Sequence, residues 1–559
     1  MTSFLKGDNM NSEMSMYEFM RATAEKRPDS WAYRFMGRGA RMREMLDEID
    51  LAAEGLNRFG VNPGDTVSLC LPNIPHAIIA FYAVNKLGAI ANMIHPLTPT
   101  KQLIGYLKKT DSKFLFLPDI FYKQHAAELE REGIKVVLCS ACDYLPLLTG
   151  SLFIIKNYEK LKGIKTNQRV IRWKALFKRS KTKSVFSPPA PGACAVYLHS
   201  GGTTGSPKTI MLSSKAFNEI ALNGLYMSGL KSVTDEKMIA VLPLFHGFGL
   251  GVCVHTMLSN GGSCVLIPKF SPKTVTNIIK REKAQLIATV PTMLEALLSY
   301  DEFMSTDLSC IKSVFCGGDK LPMDLKKRFD DCLKSNNSNA QVMEGYGLTE
   351  TVTVCCVNTP DNNRPGSVGK PIQKIHLKII DTETGEELPA NRDGEICVTG
   401  PTMMLGYLND KEATEFAVRR HADGKLWVHT GDYGYVDEDG FVWFKQRLKR
   451  IIKCSGVAVF PSEVEECISS AEEVSACCVI GVPHPVKMET VKAFVVLEKG
   501  VQPSDSLRDK IKKLCSDRLI KWAVPSEIEF VTELPLTLVG KVDFHELAKR
   551  EREKQTANI

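Results

Sequence analysis

Short apolar runs of four to six residues, separated by helix-length amphipathic segments, recur along most of this chain, and that alternation limits the fold to a largely parallel α/β architecture. Met16 to Arg27 reads as an amphipathic helix ended by Pro28. Thr66-Val-Ser-Leu-Cys-Leu reads as a buried strand, Pro75 to Leu87 as a helix closed by Gly88, and Ala89-Ile-Ala-Asn-Met-Ile as the next strand. The pattern resumes with strands at 193–198, 238–242, 264–267, 286–290 and 313–316 and helices at 213–222 and 292–299. At about residue 366 the texture changes. Strands near 377–380, 395–398 and 440–444, separated by turn residues, predict a small antiparallel β region to about 446. Beyond 450 the order is helix 461–471, strand 475–481, strand 491–497, helix 504–519 and strand 527–531, a βαβ-like unit.

A chain of 559 residues exceeds what one hydrophobic core serves. The expected organisation is a large N-terminal domain of stacked, mostly parallel α/β subdomains over residues 1–449, with a small β subdomain at about 366–446. A small mobile α+β domain follows over 450–559. An apolar fraction of 44% and a charged fraction of 24% are those of an ordinary globular protein. The first residues hold no basic stretch followed by an apolar run, and no window approaches 18 uninterrupted apolar residues, so neither a secretory signal nor a bilayer span is expected. Seventeen scattered cysteines then read as reduced thiols in a cytoplasmic protein, and Cys139-Ser-Ala-Cys142, without a second pair at zinc spacing, reads as structural.

Charge is unevenly placed. Residues 151–185 carry eleven Lys or Arg against Glu159 alone, in a chain whose total is +7. With Phe153, Ile154, Ile155, Trp173, Leu176 and Phe177 among them, this segment is read either as a solvated excursion between subdomains or as a weak peripheral contact with anionic lipid. Its aromatics are too few and too clustered for base stacking, so no nucleic-acid partner is expected.

The stretch richest in chemistry is His199-Ser-Gly-Gly-Thr-Thr-Gly-Ser-Pro-Lys208, which follows a strand. Glycines let backbone N–H groups close on phosphate oxygens without a Cβ clash, and the hydroxyls and lysine add donors. Pro207 between the last Gly-Ser and Lys208 separates it from a Walker loop. The string resembles the signature loop of the adenylate-forming superfamily, which includes acyl-CoA synthetases, peptide-synthetase adenylation domains and luciferases. Gly201 replaces the family's leading Ser and Thr209 its trailing Gly; the Thr-Thr-Gly-x-Pro-Lys core is intact.

The resemblance continues in order down the chain. Pro243-Leu-Phe-His246 is similar to the family's substrate gate, Cys316-Gly-Gly-Asp-Lys-Leu321 to its adenine-facing strand, and Glu344-Gly-Tyr-Gly-Leu-Thr-Glu350 to its central motif. It implies phosphate contacts from Gly202, Thr203, Thr204, Gly205 and Lys208, and adenine contacts from Gly318, Asp319, Glu344, Gly345, Tyr346 and Gly347. Thr349 would hold phosphate, Glu350 Mg2+, and His246 would lie beside the acid's carboxylate. Asp432 in Thr430-Gly-Asp432 would chelate the ribose, Arg447 would meet ribose or phosphate, and Lys541 in Pro535-Leu-Thr-Leu-Val-Gly-Lys541 would be the catalytic lysine. Lys449, Lys453, Ser455 and Gly456 fall in the segment that serves nucleotide and CoA, and Arg450 replaces the usual acidic hinge residue with reversed charge.

The activity implied is ATP-dependent formation of an acyl-adenylate followed by transfer to coenzyme A, with ATP, Mg2+ and CoA as cofactors and a small carboxylic acid as partner. After His246, the residues Gly247, Phe248, Gly249, Leu250 and Gly251 are expected to leave room at an apolar pocket wall, which favours a medium- or long-chain fatty acid. An aryl acid of the 4-coumarate type is the second choice. The eighteen residues after Lys541 hold no Gly-x-Ser carrier motif, which favours free CoA over a separate carrier protein. A silent nucleotide-binding homologue is disfavoured because Lys541 and Glu350 are both present.

Overall fold

The computed structural model describes residues 11–178, 186–187, 189–200, 208–455, 457–484, 488–536 and 542–557. The chain divides into two compact units. The first holds the residues up to His376 together with Val398–Val428; the second holds Leu377–Cys397 and the chain from His429 onward.

The first unit is built on two large sheets. In one, strands Thr66–Leu69, Ile90–Met93, Cys194–His199, Phe114–Pro118 and Lys135–Cys139 run parallel, and Thr209–Ser213 returns antiparallel to Cys194–His199. In the other, Ser263–Leu266, Lys237–Ala240, Leu286–Thr289, Ser313–Cys316 and Val342–Gly347 are parallel neighbours in that order, and Val354–Val357 closes antiparallel on the last. Helix Pro75–Lys86 is buried on every face from Pro75 to Asn85, as a helix apolar all round must be. Helix Met16–Lys26 starts at a capping box in which Ser15 and Glu18 satisfy each other's backbone N–H groups.

In the second unit, strand Val442–Arg447 pairs antiparallel with the His429–Val436 part of strand Leu426–Val436. The chain then turns through Leu448–Arg450 into a smaller sheet. There Val474–His484 and Met488–Leu497 pair antiparallel, and Glu527–Phe530 joins parallel across helix Asp505–Arg518. Val464, Ile468, Val479, Val491, Val495 and Ile511 form its core. Helix Phe544–Ala557, absent from the sequence reading, sets Leu547 against Ile480, Val482 and Phe494. The boundary expected at 449/450 falls inside this second unit.

The basic segment is only partly the excursion its charge suggested. Trp173 and Leu176 are buried, the indole N–H donating to the Tyr144 hydroxyl at 3.1 Å, so neither faces solvent or lipid. Cys139 is buried in its strand and Cys142 points its thiol at the Gly150 carbonyl at 3.4 Å; the two are free thiols, in keeping with a structural role. Among the described residues no helix is long and apolar enough to cross a membrane.

Candidate active site

Strand Cys194–His199 and strand Thr209–Ser213 form a hairpin whose connection is the predicted phosphate loop. Its base is closed by Ser200 N–H to the Lys208 carbonyl at 3.0 Å and by Lys208 N–H to the Ser200 hydroxyl at 3.3 Å. Gly202, Thr203, Thr204 and Gly205 lie outside the described residues. His199 is an anchor: its ring meets Asn92 at 2.7 Å and Thr209 at 3.2 Å and lies 4.1 Å from the Tyr106 ring. Burial lowers its pKa to about 3, so it stays neutral.

At the loop's exit the Lys208 ammonium sits 4.4 Å above the Tyr407 ring, and the Tyr407 hydroxyl donates to Glu350 Oε1 at 2.8 Å. Tyr407 is carried there by the two-residue strand Gly406–Tyr407, which pairs with Ile210 and Met211. The Glu350 carbonyl accepts from Met404 N–H at 2.7 Å, so both ends of this acid are fixed from the same segment. Cation, aromatic ring and carboxylate, drawn from residues 208, 407 and 350, thus form one cluster. Tyr407 lies in none of the motifs read from the sequence above; the strand pairing brings it in.

The parallel strands Ser313–Cys316 and Val342–Gly347 bring the next two motifs side by side at their carboxyl ends, where open α/β sheets bind ligands. Gly318 takes φ +84°, the left-handed turn that releases Asp319 to the surface. Glu344 is buried and accepts from Leu321 N–H at 3.2 Å; burial raises its pKa to about 7, against which that hydrogen bond and the nearby lysines act. Tyr346 is buried in register with Cys356, and a β-carbon on Gly317 would come within 3.0 Å of the Gly345 carbonyl oxygen. Thr349 and Glu350, both half-buried, lie on the short turn Thr349–Thr351. The turn ends in a three-residue γ-turn: Thr353 N–H bonds the Thr351 carbonyl at 2.8 Å around Val352 at φ +68°, ψ −58°. A β-branched residue there is strained, and such strain concentrates at functional sites.

His246 sits on a turn closed by its N–H to the Pro243 carbonyl at 3.1 Å, and its Nδ1 accepts from Phe248 N–H at 3.3 Å. Asn73 braces the approach, donating to the Ala240 and Leu242 carbonyls and accepting from Leu244 N–H. From Phe248 to Thr256 the chain is a nine-residue π-helix, a form usually confined to single turns near functional sites. The expectation that Gly247 and Gly249 leave room at a pocket wall is corrected here. A β-carbon on Gly247 would overlap the Val352 carbonyl oxygen, and one on Gly249 the Pro243 carbonyl oxygen. These glycines admit backbone, not ligand.

In the second unit, Asp432 and Arg447 face each other across antiparallel strands, Asp432 buried and its Oδ1 3.3 Å from Arg447 Nε. Lys449 lies in the turn before Arg450, Lys453 is exposed and donates its N–H to Glu489 at 2.8 Å, and Ser455 has φ +52°. Arg450 is itself tied down: it bonds Glu465 at 2.5 Å and the Val479 carbonyl at 3.3 Å and lies 4.7 Å over the Phe544 ring. Gly456 and Lys541 lie outside the described residues.

Residues 20–408 match the family of AMP-binding enzymes, and residues 463–541 match the AMP-binding enzyme C-terminal domain. A long-chain-fatty-acid–CoA ligase of Bacillus subtilis is 32% identical over 96% of this chain and 94% of its own. 4-Coumarate–CoA ligase 4 of Arabidopsis thaliana is 28% identical over 88% and 82%. Among solved structures, the anthranilate CoA ligase AuaEII in complex with anthranoyl-AMP superposes with a TM-score of 0.84 at 25% identity, over 99% of each chain.

Proposed function

Because this chain belongs to the AMP-binding enzyme family, within the adenylate-forming superfamily, and is an acyl- or aryl-CoA ligase in type, we propose that it activates a medium- or long-chain fatty acid as acyl-AMP and passes the acyl group to coenzyme A. The observation that carries the first half-reaction is the Lys208–Tyr407–Glu350 cluster at the exit of the phosphate loop. In-line attack of a carboxylate on the α-phosphate spreads charge over phosphoryl oxygens, so the protein's task is to position groups and to stabilise that charge. Lys208 supplies a cation at the loop's end, and Lys541 is assigned to the attacking carboxylate and the α-phosphate. Thr349 donates to phosphate, Tyr346 stacks with adenine, and Asp432 with Arg447 takes the ribose. The incoming acid is already ionised near neutral pH, so no general base is required.

Glu350 fits a divalent cation: it is a half-buried carboxylate, steered by the Tyr407 hydroxyl, and offers the hard oxygen donor that Mg2+ takes. Bound there, the ion would supply neutralisation of the polyphosphate.

The preference for an aliphatic acid is supported by the composition of the segment that follows His246. Phe248, Leu250, Val252 and Val254 are apolar and no charged side chain occurs from Gly247 to Val254. The second choice, an aryl acid, is supported by the 4-coumarate and anthranilate ligases among the relatives. Acid-dependent AMP formation, measured with and without CoA across saturated fatty acids of increasing length and 4-coumarate, tests both. The proposal requires a clear optimum among the fatty acids and acceleration of AMP release by CoA. An optimum on 4-coumarate overturns the substrate class, and indifference to CoA overturns the acceptor.

A further inference from the structure

Helix Leu147–Lys156 is mounted inside out. Its Gly150 is buried against Cys142 and Leu145, and on the side away from that contact Leu148, Leu152 and Ile155 are 77%, 60% and 72% exposed. At about 100° per residue, Leu148, Leu152 and Ile155 fall within one narrow stripe roughly opposite Gly150. An ordinary surface helix turns such a stripe inward. A second element extends the patch. The turn between strands Trp31–Phe35 and Arg38–Arg41 carries Met36, 57% exposed, next to Gly37, whose β-carbon position lies 4.0 Å from Pro146, and Arg38 ties the turn there through a 3.2 Å bond to the Leu145 carbonyl.

The surroundings are basic. Between residues 147 and 178 the chain carries eight Lys or Arg against Glu159 alone. All eight side chains are exposed, beginning with Lys156 at the end of the stripe and continuing through Lys160, Lys162 and Lys165. We infer that this face docks the protein on an anionic lipid surface, Leu148, Leu152, Ile155 and Met36 entering the headgroup region while the lysines hold the lipid charges. An apolar stripe edged by lysines is the composition of helices that lie in the membrane interface, and juxtaposed basic residues add attraction to anionic lipid. A second copy of this chain fits the face poorly, because a two-fold contact would set two strongly cationic segments against each other. The inference is independent of which acid is activated; a fatty acid as substrate would give such docking a use.

The test is co-sedimentation of the full-length protein with vesicles of neutral phosphatidylcholine and with vesicles containing phosphatidylglycerol. Two variants accompany it, Leu148→Ser/Leu152→Ser/Ile155→Ser and Lys156→Gln/Lys160→Gln/Lys165→Gln. Their side chains are exposed and outside the catalytic machinery, so thermal melts and turnover of a water-soluble acid should match wild type. The expected result is binding to anionic vesicles only, weakened by salt as exposed charges are screened over about 10 Å at 0.1 M, with at least a tenfold loss of bound fraction in each variant. Equal binding to neutral vesicles, or partitioning of either variant like wild type, overturns the proposal. So does failure of wild type to bind while it forms a dimer that the serine variant abolishes, which would assign the face to a second copy.

Discussion

Replacing Tyr407 by Phe deletes one oxygen from the candidate site and little else. The ring, buried and 4.4 Å beneath the Lys208 ammonium, survives the change, so the cation keeps its aromatic partner. What disappears is the 2.8 Å bond to Glu350 Oε1. A hydrogen bond to an ionised acceptor contributes about 1.5–3 kcal/mol, and about 1.4 kcal/mol corresponds to tenfold in rate. If that bond fixes Glu350 for adenylation, kcat/KM for ATP in acid-dependent pyrophosphate exchange should fall roughly ten- to hundredfold. Tyr407→Leu also removes the cation's ring, worth about 0.5–1 kcal/mol, and should cost a further two- to fivefold or so. The decisive comparison uses Glu350→Gln as a second background: if the hydroxyl acts through the carboxylate, Tyr407→Phe should cost much less there. A wild-type rate for Tyr407→Phe, or the same loss in both backgrounds, refutes the coupling.

Lys541→Ala should nearly abolish adenylation yet spare CoA capture of preformed acyl-AMP, since removing one charge-stabilising donor costs about 10²–10³ in rate; equal loss in both half-reactions would remove its specificity for the first. Glu344 is an acid whose pKa is raised by burial to about 7 from 4.5, so the folded state holds its proton more tightly than the unfolded chain does. Its contribution is therefore present in full below about pH 4.5 and is lost as pH rises through about 7. Glu344→Gln should flatten the decline of Tm over that interval, and an unchanged slope would contradict the assignment. Glu48, also raised to about 7 by burial, should keep the slope from vanishing. Arg450→Ala strips the Glu465 carboxylate of its guanidinium partner, so Tm should fall while pyrophosphate exchange persists. Arg450→Pro, which restricts Lys449 as well, should slow CoA-dependent turnover far more than exchange. Parallel loss of both activities with a normal melt would place the pivot elsewhere.

The parallel strands were legible because each is a short apolar run bounded by turn residues, a pattern that few other structures tolerate. The motifs at 316–321 and 344–350 fall on two neighbouring parallel strands, Ser313–Cys316 and Val342–Gly347, a pairing that their order along the chain does not state. Other features escaped for identifiable reasons. Gly247–Thr256 is small or apolar at almost every position, so it has no amphipathic period, and a π-helix leaves no mark in such a run. Tyr407 reaches Glu350 through a two-residue strand, and pairing between segments nearly 200 residues apart has no local signature. The apolar residues of 151–185 looked alike in sequence, yet Trp173 and Leu176 entered the core while Ile154 and Ile155 did not. Which of them is buried depends on what packs alongside, and composition does not hold that information.

The glycines of the motifs were read first as space for phosphate or for an acyl chain, and part of that reading inverts once contacts are known. A β-carbon on Gly347 would overlap the Thr353 carbonyl oxygen, and one on Gly247 the Val352 carbonyl oxygen. Both neighbours belong to the strained γ-turn that follows Glu350. The gate segment at His246 and the central motif at 344–350 are therefore pressed onto one turn from two sides, backbone against backbone. Side chains at 247 or 347 would push that turn outward, and with it the residues immediately before it, Thr349 and Glu350. Strain at Val352 persists only where the surrounding chain over-determines it, and these two contacts supply that constraint. Glycine is thus required here for rigidity: two segments separated by about a hundred residues of sequence hold a carboxylate and a histidine in a fixed relation because nothing larger than hydrogen stands between their backbones.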